Sequence, residues 1–162
     1  MQNSKETKIW NATLYLRLSR DDGDKEESNS ITGQRELLRN FLRTRPELRE
    51  YAVRIDDGFT GSNFDRPSFK KMLEDVKAGR TNCIIVKDLS RFGRNYLDAG
   101  EYIEKIFPFL GVRFIAVNDN YDSFGGKNVS DELTGMNTRN SVHIWKGGKL
   151  THENGDLSSH IQ

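Results

Sequence analysis

The chain is expected to fold as an α/β domain of three layers, with a mostly parallel central sheet of four or five strands and helices on both faces. Three observations carry this expectation. Strand-like runs alternate with helix-like segments through residues 12–123, the order that builds a parallel sheet with covered faces. Cys83-Ile84-Ile85-Val86 is a short unbroken apolar run, as in a strand buried on both sides. Phe69, Met72, Leu73 and Val76 recur at i, i+3, i+4 and i+7, which is one face of an amphipathic helix.

The elements follow in order. Residues 12–19 read as a strand entering a polar, acidic loop that runs from Arg20 to Ser30. A helix begins there, with Ser28 or Ser30 as its N-cap and Ile31, Gln34, Leu37, Leu38, Phe41 and Leu42 at helical spacing; Pro46 ends it. Residues 51–55 read as the second strand. Residues 56–66 are a Gly- and Asn-rich loop, and Pro67 stands at a first helical position, where no amide hydrogen is needed. Gly79 stops that helix. A third helix is expected over residues 97–107, before Pro108 and Gly111, and a fourth strand over residues 112–117.

Composition sets limits. The net charge is +1, so any grip on an anion comes from a local cluster and not from a global field. One cysteine, Cys83, excludes an internal disulfide framework and fits a reducing, cytoplasmic setting. The first ten residues lack the apolar core of a signal peptide, and no apolar run approaches the roughly 20 residues of a membrane span. Residues 1–11 read as a flexible N-terminus and residues 124–162 as an atypical tail. Residues 121–162 hold 6 of the 14 glycines, and Gly147-Gly148 separates two short runs as in a hairpin, so the tail is expected to be weakly structured or a hairpin.

The candidate chemistry sits at strand ends. In parallel sheets ligands bind outside the carboxyl ends of strands, and Ser19, Asp57 and Arg91 each follow a strand. Arg17 and Ser19 are two apart, so a strand aims both to one side. Arg91 and Arg94 are three apart, one turn of a helix. Two arginines in a first turn oppose the helix dipole, and a bound phosphate would repay that placement; a solvated helix start also fits. A serine hydroxyl among guanidinium groups suits attack on a phosphodiester, with the arginines holding the charge that builds on phosphorus. Arg66 is a further phosphate contact by composition, or simply part of a loop that caps the next helix. Gln34 is placed to bond to the segment carrying Ser19.

Other chemistries lack their residues. His143, His152 and His160 all lie in the tail, so a Ser-His-Asp triad has no histidine in the core domain. Cys83 has no partner cysteine for a zinc cluster. Neither G-x-x-x-x-G-K-[ST] nor G-x-G-x-x-G occurs. The acids of residues 21–27 lack the glycine and glutamate of a calcium-binding loop at the required offsets.

Tyr15-Leu16-Arg17-Leu18-Ser19, the helix start from Ser30 to Gln34, residues 57–67, residues 86–95 and Gly111-Val112-Arg113-Phe114 together resemble the serine recombinase (resolvase/invertase) family, above all the catalytic domain of the large serine recombinases of mobile elements. The likeness covers residues 13–123 and implies a resolvase-like fold. It also implies site-specific DNA recombination, in which a serine attacks a DNA phosphodiester to give a 5′-phosphoserine link and a free 3′-hydroxyl, without metal or nucleotide cofactor. Ser19 matches the nucleophile; Arg17, Arg66, Arg91 and Arg94 match the arginines around the phosphate; Gln34 and Asp57 match supporting positions. The implied partners are DNA and further copies of the chain, as a dimer or tetramer, and no membrane. The family continues into a long helix and DNA-binding domains, whereas here a Gly- and Asn-rich tail follows Ser123, so the sequence reads as a shortened copy. Two other readings fit the same residues: a non-catalytic remnant or dimerising partner of a full-length recombinase, and an α/β phosphatase or signalling domain with an arginine-lined anion site.

Overall fold

The computed structural model describes residues 7–18, 30–124, 141–146 and 149–154, the last two as backbone strands. Trp10–Leu18 (β1), Leu48–Asp57 (β2), Cys83–Val86 (β3), Arg113–Ala116 (β4) and Tyr121–Asp122 (β5) form one sheet in the order β2-β1-β3-β4-β5. The first four strands are parallel and β5 runs antiparallel to β4. β1 begins at Trp10, which is buried, so Trp10 and Asn11 leave the segment read as a flexible N-terminus. Ser141–Lys146 (β6) and Lys149–Asn154 (β7) pair separately, with Lys146 opposite Lys149.

The period of two along each strand divides the core. Ala12, Leu14 and Leu16 of β1, Cys83 and Ile85 of β3 and Ile115 of β4 face α1 (Ile31–Arg43) and its Leu38. Tyr15, Ile84, Val86, Phe114 and Ala116 face the other way. They pack on α2 (Pro67–Lys77) through Phe69, Met72 and Val76, on α3 (Leu89–Phe92) and on α4 (Tyr96–Glu101). Each large side chain so buried contributes about 1.5–3 kcal/mol. Burial pushes the Cys83 thiol up to about 12.

Helix ends obey local chemistry. The Ser30 hydroxyl accepts from the Gly33 amide at 2.9 Å and caps α1. Pro67 opens α2, and Gly79, at φ 74°, closes it in the left-handed region that glycine tolerates. The third helix differs from expectation. A separate short helix, α3, precedes it, and the expected segment begins as α4 and continues through a π-helical turn (Tyr102–Ile106) into α5 (Phe107–Phe109). The Phe107 amide reaches back five residues to the Tyr102 carbonyl, and the wide turn accommodates Pro108, which has no amide hydrogen to give.

Candidate active site

The carboxyl ends of β1 and β3 meet at α3, and arginines make the junction. Arg17 is fully buried on the same face of β1 as Tyr15. Its Nη2 donates to the Ser90 carbonyl at 2.7 Å, its Nε to the Arg91 carbonyl at 3.1 Å and its Nη1 to the Phe59 carbonyl at 3.0 Å. Arg66, also fully buried, donates through Nη2 to the Phe92 carbonyl at 2.6 Å. The last three carbonyls of α3, which a four-residue helix leaves without internal partners, thus all accept from guanidinium groups. The cations also stand at the end of the helix dipole that favours positive charge.

Arg91 is held in return. Its Nη1 donates to the Arg17 carbonyl at 3.2 Å, and its amide donates to the Asp88 carboxylate at 3.1 Å. Asp88 is the N-cap of α3 and also accepts from the Ser90 hydroxyl. Gln34, buried on the first turn of α1, grips the Arg17 peptide at two points. Its Nε2 donates to the Arg17 carbonyl at 3.0 Å, and its Oε1 accepts the Arg17 amide at 3.3 Å. Burial, reinforced by the charges of Arg66, Arg91 and Arg94, brings the Arg17 guanidinium down to about 10, still charged near neutral pH.

Arg94 is exposed and lies between α3 and α4, not one helical turn along from Arg91. The expectation of both arginines in one first turn is therefore corrected: Gly93 is extended, at φ −174°, and ends α3. Close packing explains the residue, since a Cβ at Gly93 would lie 2.7 Å from the Phe64 ring. Arg94 is fixed through its backbone, whose amide donates to the Gly61 carbonyl at 2.7 Å. Gly61 lies between the two arginines: a Cβ there would stand 2.8 Å from Arg17 Nη2 and 2.9 Å from Arg94 Cγ.

Arg17, Gln34 and Arg91 are in direct contact, with Arg94 joined to them across Gly61. Arg66 sits one layer deeper, where its Nη1 donates to the Tyr15 hydroxyl at 2.8 Å and its Nε to the Asn63 carbonyl at 3.0 Å. Asp57 is exposed at the end of β2, in register with Leu18. Ser19 follows Leu18 directly in the chain and lies outside the described residues.

The sequence pattern does not single out Tyr15 or Asp56, yet both join the site. The Tyr15 hydroxyl donates to Asp56 Oδ2 at 2.8 Å, and the same carboxylate accepts the Ser68 and Phe69 amides at the start of α2. Burial holds the Tyr15 phenol well above its ordinary range; Arg66 opposes this and Asp56 adds to it. The available signal is parity. Val53 and Ile55 pack on the α1 side of β2, so Asp56 must face Tyr15 and Arg17; a strand that stops at Ile55 hides it.

A mostly parallel α/β sheet with guanidinium groups gathered at its carboxyl edge, around the end of β1, defines the class. Residues 12–137 match the family described as Resolvase, N terminal domain, and the chain belongs to that family. The fold is that of serine recombinase catalytic domains. The N-terminal catalytic domain of TP901-1 integrase superposes with a TM-score of 0.63 at 20% identity, covering 76% of this chain and 87% of that one. A resolvase family site-specific recombinase from Streptococcus pneumoniae gives 0.60 at 28% identity, covering 79% and 85%. The C-terminal catalytic domain of ISC1926 TnpA, an IS607-like serine recombinase, gives 0.54 at 22% identity, covering 77% and 76%.

Proposed function

We propose that the chain cleaves and rejoins DNA, with Ser19 as nucleophile. The observation that carries this reading is the arginine lattice at the end of β1: Arg17, Gln34 and Arg91 lock the backbone two residues before Ser19. In the reaction, Ser19 Oγ forms a bond to phosphorus and loses its proton, while the bond from phosphorus to the 3′-oxygen breaks and that oxygen gains a proton. The phosphate remains on the 5′-side as a phosphoserine. One phosphate ester replaces another, so the bond energy is conserved for the reverse step, in which a 3′-hydroxyl attacks the phosphoserine.

The residues divide the work. Arg91 and Arg94 hold the non-bridging oxygens, where charge collects in the transition state. Arg17 and Arg66 fix α3, and with it the Arg91 guanidinium, by holding its carbonyls. Gln34 sets the Arg17 peptide, and Asp57 supports the loop edge beside Leu18. The assembly acts on DNA as an oligomer of this chain.

The test is a pool of nicked duplexes, randomised around the nick, run on a denaturing gel after incubation with the full chain. Wild type yields a covalent adduct with a free 3′-hydroxyl, and Ser19→Ala yields none. Equal adduct from both proteins, or none from wild type, overturns the reading.

A further inference from the structure

We infer that the outer face of α1 is a track for the DNA backbone that leads to the cleavage site; this rests on the reading of the chain as a DNA-cleaving domain. Arg35, Arg39 and Arg43 lie at i, i+4 and i+8 on α1, a spacing that stacks them along one side of a helix. Arg39 and Arg43 are exposed and Arg35 is half-buried. The buried face of the same helix, through Gln34 and Leu38, is taken up by the sheet.

The placement is unfavourable without an anion. Like charges at i, i+4 destabilise a helix, and of the three only Arg43, in the last turn, gains from the helix dipole. The neighbouring acids are Glu36, exposed on the same helix, and Glu50 of β2, whose carboxylate accepts from Arg39 Nε at 2.9 Å. That pair is solvent-exposed on both sides, and surface ion pairs of this kind are weak enough to exchange for a phosphate. Arg43 Nη1 donates to the neutral Asn40 side chain, which leaves its charge uncompensated by that bond.

Position makes the stripe a track. Gln34, the residue before Arg35, is bonded to the Arg17 peptide, so the stripe starts beside the arginine lattice. From Arg35 to Arg43 the helix rises about 12 Å at about 1.5 Å per residue. Along duplex DNA that length passes about three phosphates of one strand, at about 3.4 Å each. The chain has almost no net charge, so a local stripe is the means by which its surface engages a polyanion.

The experiment compares two charge-matched triple variants of the full chain. One is Arg35→Gln, Arg39→Gln and Arg43→Gln on α1. The other is Lys70→Gln, Lys71→Gln and Lys77→Gln on α2, which covers the opposite face of the sheet; these three lysines are exposed. Binding to the nicked pool is measured across salt concentrations with each protein. The α1 variant is expected to lower the salt slope by about 0.9 for each phosphate it no longer neutralises, about two to three in total, while the α2 variant leaves it at the wild-type value. Thermal melts confirm that both variants fold, because glutamine keeps helix propensity close to that of arginine. Equal slopes for the two variants, or no salt-dependent binding by wild type, overturn the track. Adduct formation by wild type that Ser19→Ala abolishes, together with equal slopes, removes the track and leaves the cleavage reading standing.

Discussion

Arg17 and Ser90 are joined by a hydrogen bond of 2.7 Å from the guanidinium of one to the carbonyl of the other. The bond crosses from β1 to α3. With the companion bond to the Arg91 carbonyl at 3.1 Å, it makes Arg17 the bolt between the strand that leads to Ser19 and the helix that carries Arg91.

This relationship distinguishes shape from charge at position 17. Arg17→Lys keeps the cation but lacks the planar fork that serves two carbonyls at once. It is expected to fold with a stability loss of about 1–3 kcal/mol, the penalty of a buried carbonyl left without a donor, and to lose adduct formation at least about 100-fold, the order of effect seen when a group that positions charge for the transition state is removed. Arg17→Gln is expected to lose more stability than Arg17→Lys. Urea melts and adduct yields on the same preparations check both. A fully active Arg17→Lys protein would show that charge alone suffices.

The two tightly packed glycines are predicted to separate stability from activity. Gly61→Ala places a Cβ 2.8 Å from Arg17 Nη2 and 3.0 Å from Arg17 Cζ, so it must displace the guanidinium or the loop. Gly93→Ala meets an aromatic ring, that of Phe64. Each is expected to cost about 1–3 kcal/mol of stability by overpacking. Only Gly61→Ala displaces a site arginine, so at matched folded fractions it should give the larger fall in adduct yield.

Tyr15 links stability to alkaline pH. The unfolded chain releases the phenol proton near the ordinary value of 10.0, whereas the folded chain retains it well above that value because the hydroxyl is buried between Arg66 and Asp56. Above pH 10 the folded state therefore binds more protons than the unfolded state, and stability falls as pH rises. The slope approaches about 1.4 kcal/mol per pH unit for this one group. Tyr15→Phe lacks the group, so the stability gap between wild type and variant should narrow as pH rises past 10. Chemical denaturation at a series of alkaline pH values measures it, and a gap that does not change with pH contradicts the assignment.

Much of the architecture was legible because it rests on local rules. Pro67 at a first helical position, Gly79 past a helix end and the unbroken run Cys83–Val86 each admit few structures, and the structure agrees at all three. The site was legible as a set of residues and less so as a geometry. Arg66 has the residue type of a surface phosphate contact, yet its donors go to the Tyr15 hydroxyl and to the carbonyls of Asn63 and Phe92. The sequence does not reveal which acceptors a guanidinium will meet. Arg91 and Arg94 have helical spacing, but Gly93 between them is extended and ends α3, packed closely against Phe64, far away in sequence. The short strand β5 was likewise missed, because Tyr121-Asp122 is too brief to show a period; its place is set by Arg113, whose guanidinium binds both oxygens of Asp122.

Ser19 is the residue proposed to carry the DNA phosphate, and peptide mass mapping of the trapped adduct, after nuclease and protease digestion, identifies the linked side chain. A phosphodeoxynucleotide is expected on Ser19 and on no other residue. The same mass on Ser28, Ser30 or Ser90, or an adduct that forms equally well with Ser19→Ala, would contradict it.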